Sequence, residues 1–151
     1  MVNKKVGVVG CGTMGSGIAI VMARAGYQTL VQDLDQEKID AGYNRISSFF
    51  EGGVKRNKIT QDQMNEYMNN IKMTTDLQDL QHCDYVVEAV FEDVDVKQKL
   101  FRNLNDICKP ETIFISNTST LSVTAIAHNT GREDKVIGDH FCTPAPLMTL
   151  V

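Results

Sequence analysis

Among the residues of the kind that handles protons are three histidines, His82, His128 and His140, the last within Gly138-Asp139-His140-Phe141-Cys142-Thr143-Pro144-Ala145-Pro146, and the hydroxyl-rich run Ser116-Asn117-Thr118-Ser119-Thr120-Leu121-Ser122. An imidazole titrates near working pH, so it can take a proton from an alcohol and give it back. A serine hydroxyl can hydrogen-bond the same oxygen. A second set of residues suits a phosphate. Gly10-Cys11-Gly12-Thr13-Met14-Gly15 fits G-x-G-x-x-G, in which Gly10 permits a tight turn, Gly12 lets backbone amides approach a pyrophosphate, and Gly15 lets a helix pack closely. The amides of Thr13 and Met14 would then open a helix toward the anion. Asp33 lies beyond the next apolar run, about 20 residues on, where a carboxylate can accept both hydroxyl protons of an adenine ribose. No Lys or Arg follows at Leu34, Asp35 or Gln36, so a ribose 2'-phosphate would meet negative charge and NAD is favoured over NADP. Gly17, one turn into the expected helix, serves close packing or cofactor access.

The elements that must deliver these residues can be read from periodicity. Val6 to Val9 is a short apolar run, and Met14, Ile18, Val21, Met22 and Ala25 recur at helical spacing. Gly26 stands where a left-handed helix C-cap belongs, and Thr29 to Val31 reads as a second strand. Strand, turn, helix and strand make a βαβ unit. From Asp35 to about Met68 the pattern is helical, with Ile39, Tyr43, Ile46 and Phe50 on one face, a break expected at Gly52-Gly53, and Thr60 as N-cap of a second helix. Strands are expected near Ile71 to Thr74, Tyr85 to Ala89, Thr112 to Ile115 and Val136 to Gly138, with helices over Val94 to Ile107 and Leu121 to Ala127. Such alternation implies an α/β fold with a doubly wound, mostly parallel sheet and a helical hairpin inserted after the second strand, in one domain over 1–151.

Composition narrows the partners. A formal charge of -4 gives no general attraction to phosphate polymers, so nucleic acid is not an expected partner. The residues before Val6 and the short run after them make neither a signal peptide nor a membrane span, so no membrane association is expected. Cys11, Cys83, Cys108 and Cys142 contain no C-x-x-C pair and read as reduced thiols, which points to the cytoplasm.

The glycine fingerprint, Glu88-Ala89-Val90-Phe91-Glu92 with Lys97, the Ser116 to Ser122 run and the His140-Phe141 to Pro146 stretch together resemble the L-3-hydroxyacyl-CoA dehydrogenase family, including bacterial 3-hydroxybutyryl-CoA dehydrogenases. The likeness runs from Val6 to Val151 with the motifs in order. It implies a Rossmann-type domain, NAD as cofactor and a 3-hydroxyacyl-CoA substrate, the four-carbon one favoured. It implies roles too: His140 as general base, Ser119 as hydrogen-bond partner of the substrate oxygen, and Glu92, Lys97, Asn117 and Thr143 as cofactor contacts. Lys55, Arg56 and Lys58 fall in the hairpin that approaches the nucleotide end of coenzyme A, whose phosphates suit cations.

Plainer readings stand beside these. Ser119 and Asn117 could cap a helix, Glu92 and Lys97 could be an exposed charged pair near a helix start, the three cations could be a solvated face, and Asp33 could cap a helix or sit in a surface turn. His82 and His128 lack the setting of His140 and read as structural. Thr143 stands where the family usually has asparagine, and a hydroxyl replaces only part of an amide's hydrogen bonding. That leaves a free 3-hydroxy acid as an alternative substrate. A non-catalytic NAD-binding module is an alternative of another class, which would need neither Ser119 nor His140. The position matching the family's glutamate partner of the histidine is the first beyond Val151, as is the helical domain that usually forms the homodimer. The chain is therefore read as the cofactor-binding part, nearly inactive alone.

Overall fold

In the computed structural model, which describes residues 4–148, six short strands line up in parallel. They are β1 (Lys5–Val9), β2 (Gln28–Gln32), β3 (Ile71–Thr74), β4 (Tyr85–Glu88), β5 (Ile113–Ser116) and β6 (Val136–Gly138). Their lateral order is β3-β2-β1-β4-β5-β6, with every neighbouring pair parallel. The order reverses between β1 and β4, and at such a switch point the crossing helices leave a crevice at the carboxyl ends of the strands.

Alternation along each strand feeds two cores. Val6, Val8, Val31, Val87 and Ile115 face one side, under α1 (Thr13–Arg24), α2 (Gln36–Lys55) and α3 (Gln61–Asn69). Val9, Val86 and Phe114 face the other, under α4 (Val94–Ile107) and α5 (Val123–Ala127). On that second face Phe101 of α4 meets Phe114 at a centroid separation of 5.2 Å. Burying a side chain of this size contributes about 1.5–3 kcal/mol.

Local chemistry sets most boundaries. Gly26 adopts φ +85 after α1, and the Tyr27 amide donates back to the Met22 carbonyl at 3.1 Å, the left-handed termination expected there. Thr60 caps α3 in a reciprocal box: its hydroxyl accepts from the Gln63 amide at 3.1 Å, and the Gln63 side chain accepts from the Thr60 amide at 2.9 Å.

The expected break at Gly52-Gly53 is not there. α2 runs through both glycines to Lys55, and the turn falls over 56–60. Two glycines cost about 1 kcal/mol each, which the buried face of Ile39, Ile46 and Phe50 outweighs. The glycines serve the turn instead: a Cβ on Gly53 would lie 3.2 Å from Ile59, and one on Gly52 3.1 Å from the Arg56 guanidinium. Helix α5 begins at Val123 rather than Leu121, because the Ser122 hydroxyl accepts from the Ala125 amide and fixes the start. The fourth and fifth strands end at Glu88 and Ser116, one residue short of and one beyond the expected limits. Two 3₁₀ segments, Leu77–His82 and Glu133–Lys135, were not expected from the periodicity. Among the described residues no helix is long and apolar enough to cross a membrane.

Candidate functional site

Parallel register brings every candidate to one edge of the sheet. Val9, Glu88, Ser116 and Gly138 pair in one row across β1, β4, β5 and β6. The residues just past that row are Gly10, Ala89, Asn117 and Asp139, and the backbone ladder continues through them: Ala89 N donates to Val9 O at 2.8 Å, Asn117 N to Glu88 O at 3.1 Å, and Asp139 N to Ser116 O at 3.1 Å. Loops leaving these ends therefore emerge side by side.

The glycine loop is fixed by contacts that a side chain would break. Gly10 sits at φ +93 with its amide on Gln32 O at 2.8 Å, and a Cβ there would lie 2.6 Å from Ala89 O. A Cβ on Gly15 would lie 1.7 Å from Gly10 O. Gly12 differs. Its φ of -65 and ψ of -165 suit any residue, and a Cβ would meet nothing within 4 Å. Nothing within the protein requires glycine there, so the requirement points outward, to a group that must come close to the backbone. No side chain caps α1 at Gly12, which leaves the first-turn amides of Thr13 and Met14 facing the same space. These residues fit a pyrophosphate. Gly17 serves packing: a Cβ would meet Ala145 Cβ and Pro146 Cδ at 3.2 Å each.

Asp33 follows β2 and flanks the loop. Its Oδ2 accepts from Cys11 N at 2.8 Å and its Oδ1 from Leu34 N at 2.7 Å. It is half-buried and does not cap a helix; Asp35 caps α2. Cys11, within the loop, packs against Gly42 of α2 and is buried. Burial first and the neighbouring Asp33 charge second push its thiol up to about 12, so it stays neutral beside an anion.

On the other side of the switch point, Ser119 and His140 meet. Ser119 Oγ lies 2.9 Å from His140 Nε2, and both residues are exposed. Among the described residues the imidazole has no other hydrogen bond. Asn117 holds the histidine loop in place, its Oδ1 accepting from Phe141 N at 2.8 Å, while the Phe141 ring is buried. Thr143 reaches back to α1, with its hydroxyl 2.9 Å from Met14 Sδ. Ser119 and Asn117 cap no helix.

Lys97 and Glu92 do not form an exposed pair. Lys97 is 1% exposed on α4, and its ammonium bridges Glu88 Oε1 at 2.6 Å and Glu92 Oε2 at 3.0 Å. Glu88 is fully buried and also accepts from Ser116 Oγ at 2.7 Å and Val90 N at 2.8 Å. Burial alone would raise the Glu92 carboxyl, but bonds from Thr118 Oγ1, Lys97 and the Ser119 amide outweigh it and hold the group at about 2, below the ordinary 4.5. Glu88, Ser116 and Thr118 were not singled out from the sequence. The available signal was Lys97 itself, which shares a helical face with Phe101 and Leu104, both buried.

The basic residues divide. Arg56 and Lys58 line a cavity of about 610 Å³ with Phe49, Pro146 and Leu147, joined there by Arg24, which sequence reading missed. Lys55 is exposed and lies outside that lining.

Comparison with known proteins shows the family. The family model described as 3-hydroxyacyl-CoA dehydrogenase, NAD binding domain, matches residues 5–151. A probable 3-hydroxybutyryl-CoA dehydrogenase of Deinococcus radiodurans is 44% identical over 147 residues, covering 97% of this chain and 52% of that protein. A 3-hydroxyadipyl-CoA dehydrogenase of Escherichia coli is 38% identical over 152 residues, covering 100% of this chain and 32% of its own. The crystal structure of (S)-3-hydroxybutyryl-CoA dehydrogenase from Ralstonia eutropha superposes with a TM-score of 0.94 at 35% identity, over 98% of this chain and 52% of that one. The chain thus spans about half or less of the length of these relatives. A doubly wound sheet of this order and a family model matched from β1 onward lead to one statement: the chain belongs to the 3-hydroxyacyl-CoA dehydrogenase family, as its NAD-binding domain.

Proposed function

We propose that the chain is the cofactor-binding and proton-handling part of an NAD-dependent dehydrogenase that interconverts L-3-hydroxyacyl-CoA and 3-ketoacyl-CoA, with a short acyl chain such as the four-carbon one. The observation that carries this reading is the 2.9 Å contact between Ser119 Oγ and His140 Nε2, at the sheet edge where the glycine loop opens. NAD, when bound, supplies the acceptor for the hydride that leaves C3 of the substrate. His140 takes the proton of the 3-hydroxyl on Nε2, and the Ser119 hydroxyl donates to the same oxygen as it becomes a carbonyl. In the reverse direction the imidazolium returns the proton.

Gly10, Gly12, Gly15 and the amides of Thr13 and Met14 hold the pyrophosphate, and Asp33 selects the unphosphorylated ribose. Asn117 and Thr143 hold the histidine loop against the cofactor side. Arg56 and Lys58, with Arg24, are the proposed cations for coenzyme A phosphates. The full enzyme is proposed to be a cytoplasmic homodimer.

Titrating the NADH-loaded full-length enzyme, with the segment that follows Val151 in place, with acetoacetyl-CoA and with free acetoacetate tests the substrate class. Saturation by the thioester alone, with NADH oxidation lost in His140→Gln, is the expected result. Saturation by free acetoacetate alone would move the chain to the free 3-hydroxy acids. NADH binding without any response to either would favour a non-catalytic module.

A further inference from the structure

The buried charges at the ends of β4 and β5 have a purpose that cofactor contact does not explain. Lys97 is already neutralised by Glu88, which is buried with it at 2.6 Å and also accepts from Ser116 Oγ and Val90 N. Charge balance therefore does not require a second carboxylate. Glu92 is nevertheless drawn in, with its Oε2 3.0 Å from the Lys97 ammonium. Its other oxygen, Oε1, faces the loop after β5, where it accepts from the Thr118 hydroxyl, the Ser119 amide at 3.0 Å and the Thr120 amide at 3.3 Å. The Thr118 hydroxyl in turn accepts from Leu121 N at 3.0 Å, closing the turn.

Every partner of Glu92 is thus a donor: one ammonium, one hydroxyl and two amides. Only a group that accepts on both oxygens satisfies all four. One anchor is rigid, because Lys97 projects from α4 with 1% of its side chain exposed, and the other is the backbone of Ser119. We propose that Glu92 is a positioning residue: tethered by the buried Lys97, it fixes the backbone at Ser119 and so the direction from which the Ser119 hydroxyl meets Nε2 of His140. This rests on the reading of Ser119 and His140 as the proton-handling pair. It gives Lys97 a place in the scaffold behind the site and Glu92 a hold on the loop, beside the cofactor contacts that resemblance implies for both.

The test reads His140 directly. In the ¹⁵N-labelled protein, Ser119→Ala is expected to move the ring-nitrogen signals of His140, since it removes their hydroxyl partner. Glu92→Gln is expected to move them in the same direction, because one end of the amide must present a donor to another donor. The shift should appear in the protein free of NADH, where no cofactor contact can cause it. Thr118→Val touches neither Lys97 nor the cofactor side and should give a smaller shift in the same sense, so the proposal does not depend on one variant's folding. If Ser119→Ala moves His140 and Glu92→Gln leaves it unmoved, the positioning role is overturned while the proton-handling pair stands. A shift of His140 in Glu92→Gln that appears only with NADH bound also overturns it, leaving Glu92 a cofactor ligand alone. No response of His140 to Ser119→Ala would overturn the pair itself and the proposed function with it.

Discussion

Gly12 and Gly15 sit three residues apart in one motif, yet the structure assigns them opposite sensitivities to a single methyl group. A Cβ on Gly15 falls 1.7 Å from Gly10 O, well inside any real contact. Gly10 cannot retreat, because its amide is bonded to Gln32 O at 2.8 Å and Ala89 O closes the other side. Overpacking ordinarily costs about 1–3 kcal/mol, and a clash between two pinned backbones belongs at the upper end. At about 2–4 °C per kcal/mol for a chain of this size, Gly15→Ala should lower Tm by roughly 6–12 °C. For Gly12→Ala the backbone is already compatible and the space is open. The lost freedom of the unfolded chain favours alanine by about 0.4–1 kcal/mol, and alanine's poorer quality as an N-cap offsets it, so Tm should stay within about 3 °C of the parent. Binding is where Gly12→Ala should fail. Its methyl occupies the space through which a pyrophosphate must approach the α1 amides. Losing one charge-assisted hydrogen bond, about 1.5–3 kcal/mol, weakens NADH roughly 12- to 150-fold. Thermal melts by circular dichroism and NADH fluorescence titration read the two effects separately. Unchanged NADH affinity in Gly12→Ala, or a drop in Tm as large as that of Gly15→Ala, would refute the assignment of that open space to the cofactor.

Four further outcomes are expected. Asp33→Ala should weaken NADH by about 1.5–3 kcal/mol and narrow its margin over NADPH, measured by paired titrations; an unchanged ratio would remove Asp33 from ribose recognition. Arg56→Ala and Lys58→Ala should each weaken acetoacetyl-CoA binding with NADH unaffected, and Lys55→Ala much less so, since only the first two line the cavity with Arg24; equal effects at all three would return them to a solvated face. Arg132 is buried, donates to the carbonyls of Asn105, Cys108, Lys109 and Thr112 and stacks on Phe114 at 4.5 Å, so Arg132→Met should cost about 3 kcal/mol or more and a Tm loss of roughly 6–12 °C with NADH binding intact; a loss near zero would show that water replaces those bonds freely. The Lys109 ammonium, then the Lys5 amide, hold Asp84 at about 2, below the ordinary 3.8. Its contribution is therefore complete above about pH 3.8 and lost as pH falls through about 2, so the stability gap between the parent and Asp84→Asn should shrink across that window in acid unfolding.

What could be read from the chain and what could not divide along a physical line. Features decided by a residue and its near neighbours were legible: the positive φ of Gly26, the Thr60 box, the glycine turn and the period of each strand. Features decided by packing were not. Gly52 and Gly53 look like a break because propensity is local, yet the helix through them is held by Ile46 and Phe50 on a face whose burial is visible only in the fold. Glu92 and Lys97 read as an exposed charged pair for the same reason, and only the closure of α4 over β4 and β5 buries Lys97 against Glu88. Removing Lys97 alone would strand the buried charge of Glu88, at a cost of about 3–5 kcal/mol.

The site was legible as a set of motifs because a parallel sheet converts chain order into lateral order. Gly10, Glu88, Asn117 and His140 follow β1, β4, β5 and β6 or end them, and the strands lie side by side in that sequence. Motif order thus predicts who shares the edge. It does not predict who touches whom, since the row Val9, Glu88, Ser116 and Gly138 depends on strand register, which the spacing of motifs leaves open. A one-residue slip of β5 against β4 would turn Ser116 away from Glu88 and carry Ser119 off Glu92. The buried Glu88–Ser116 hydrogen bond, at 2.7 Å, is therefore also a register lock. The same bond that ties the two strand ends together keeps the serine loop beside the histidine loop.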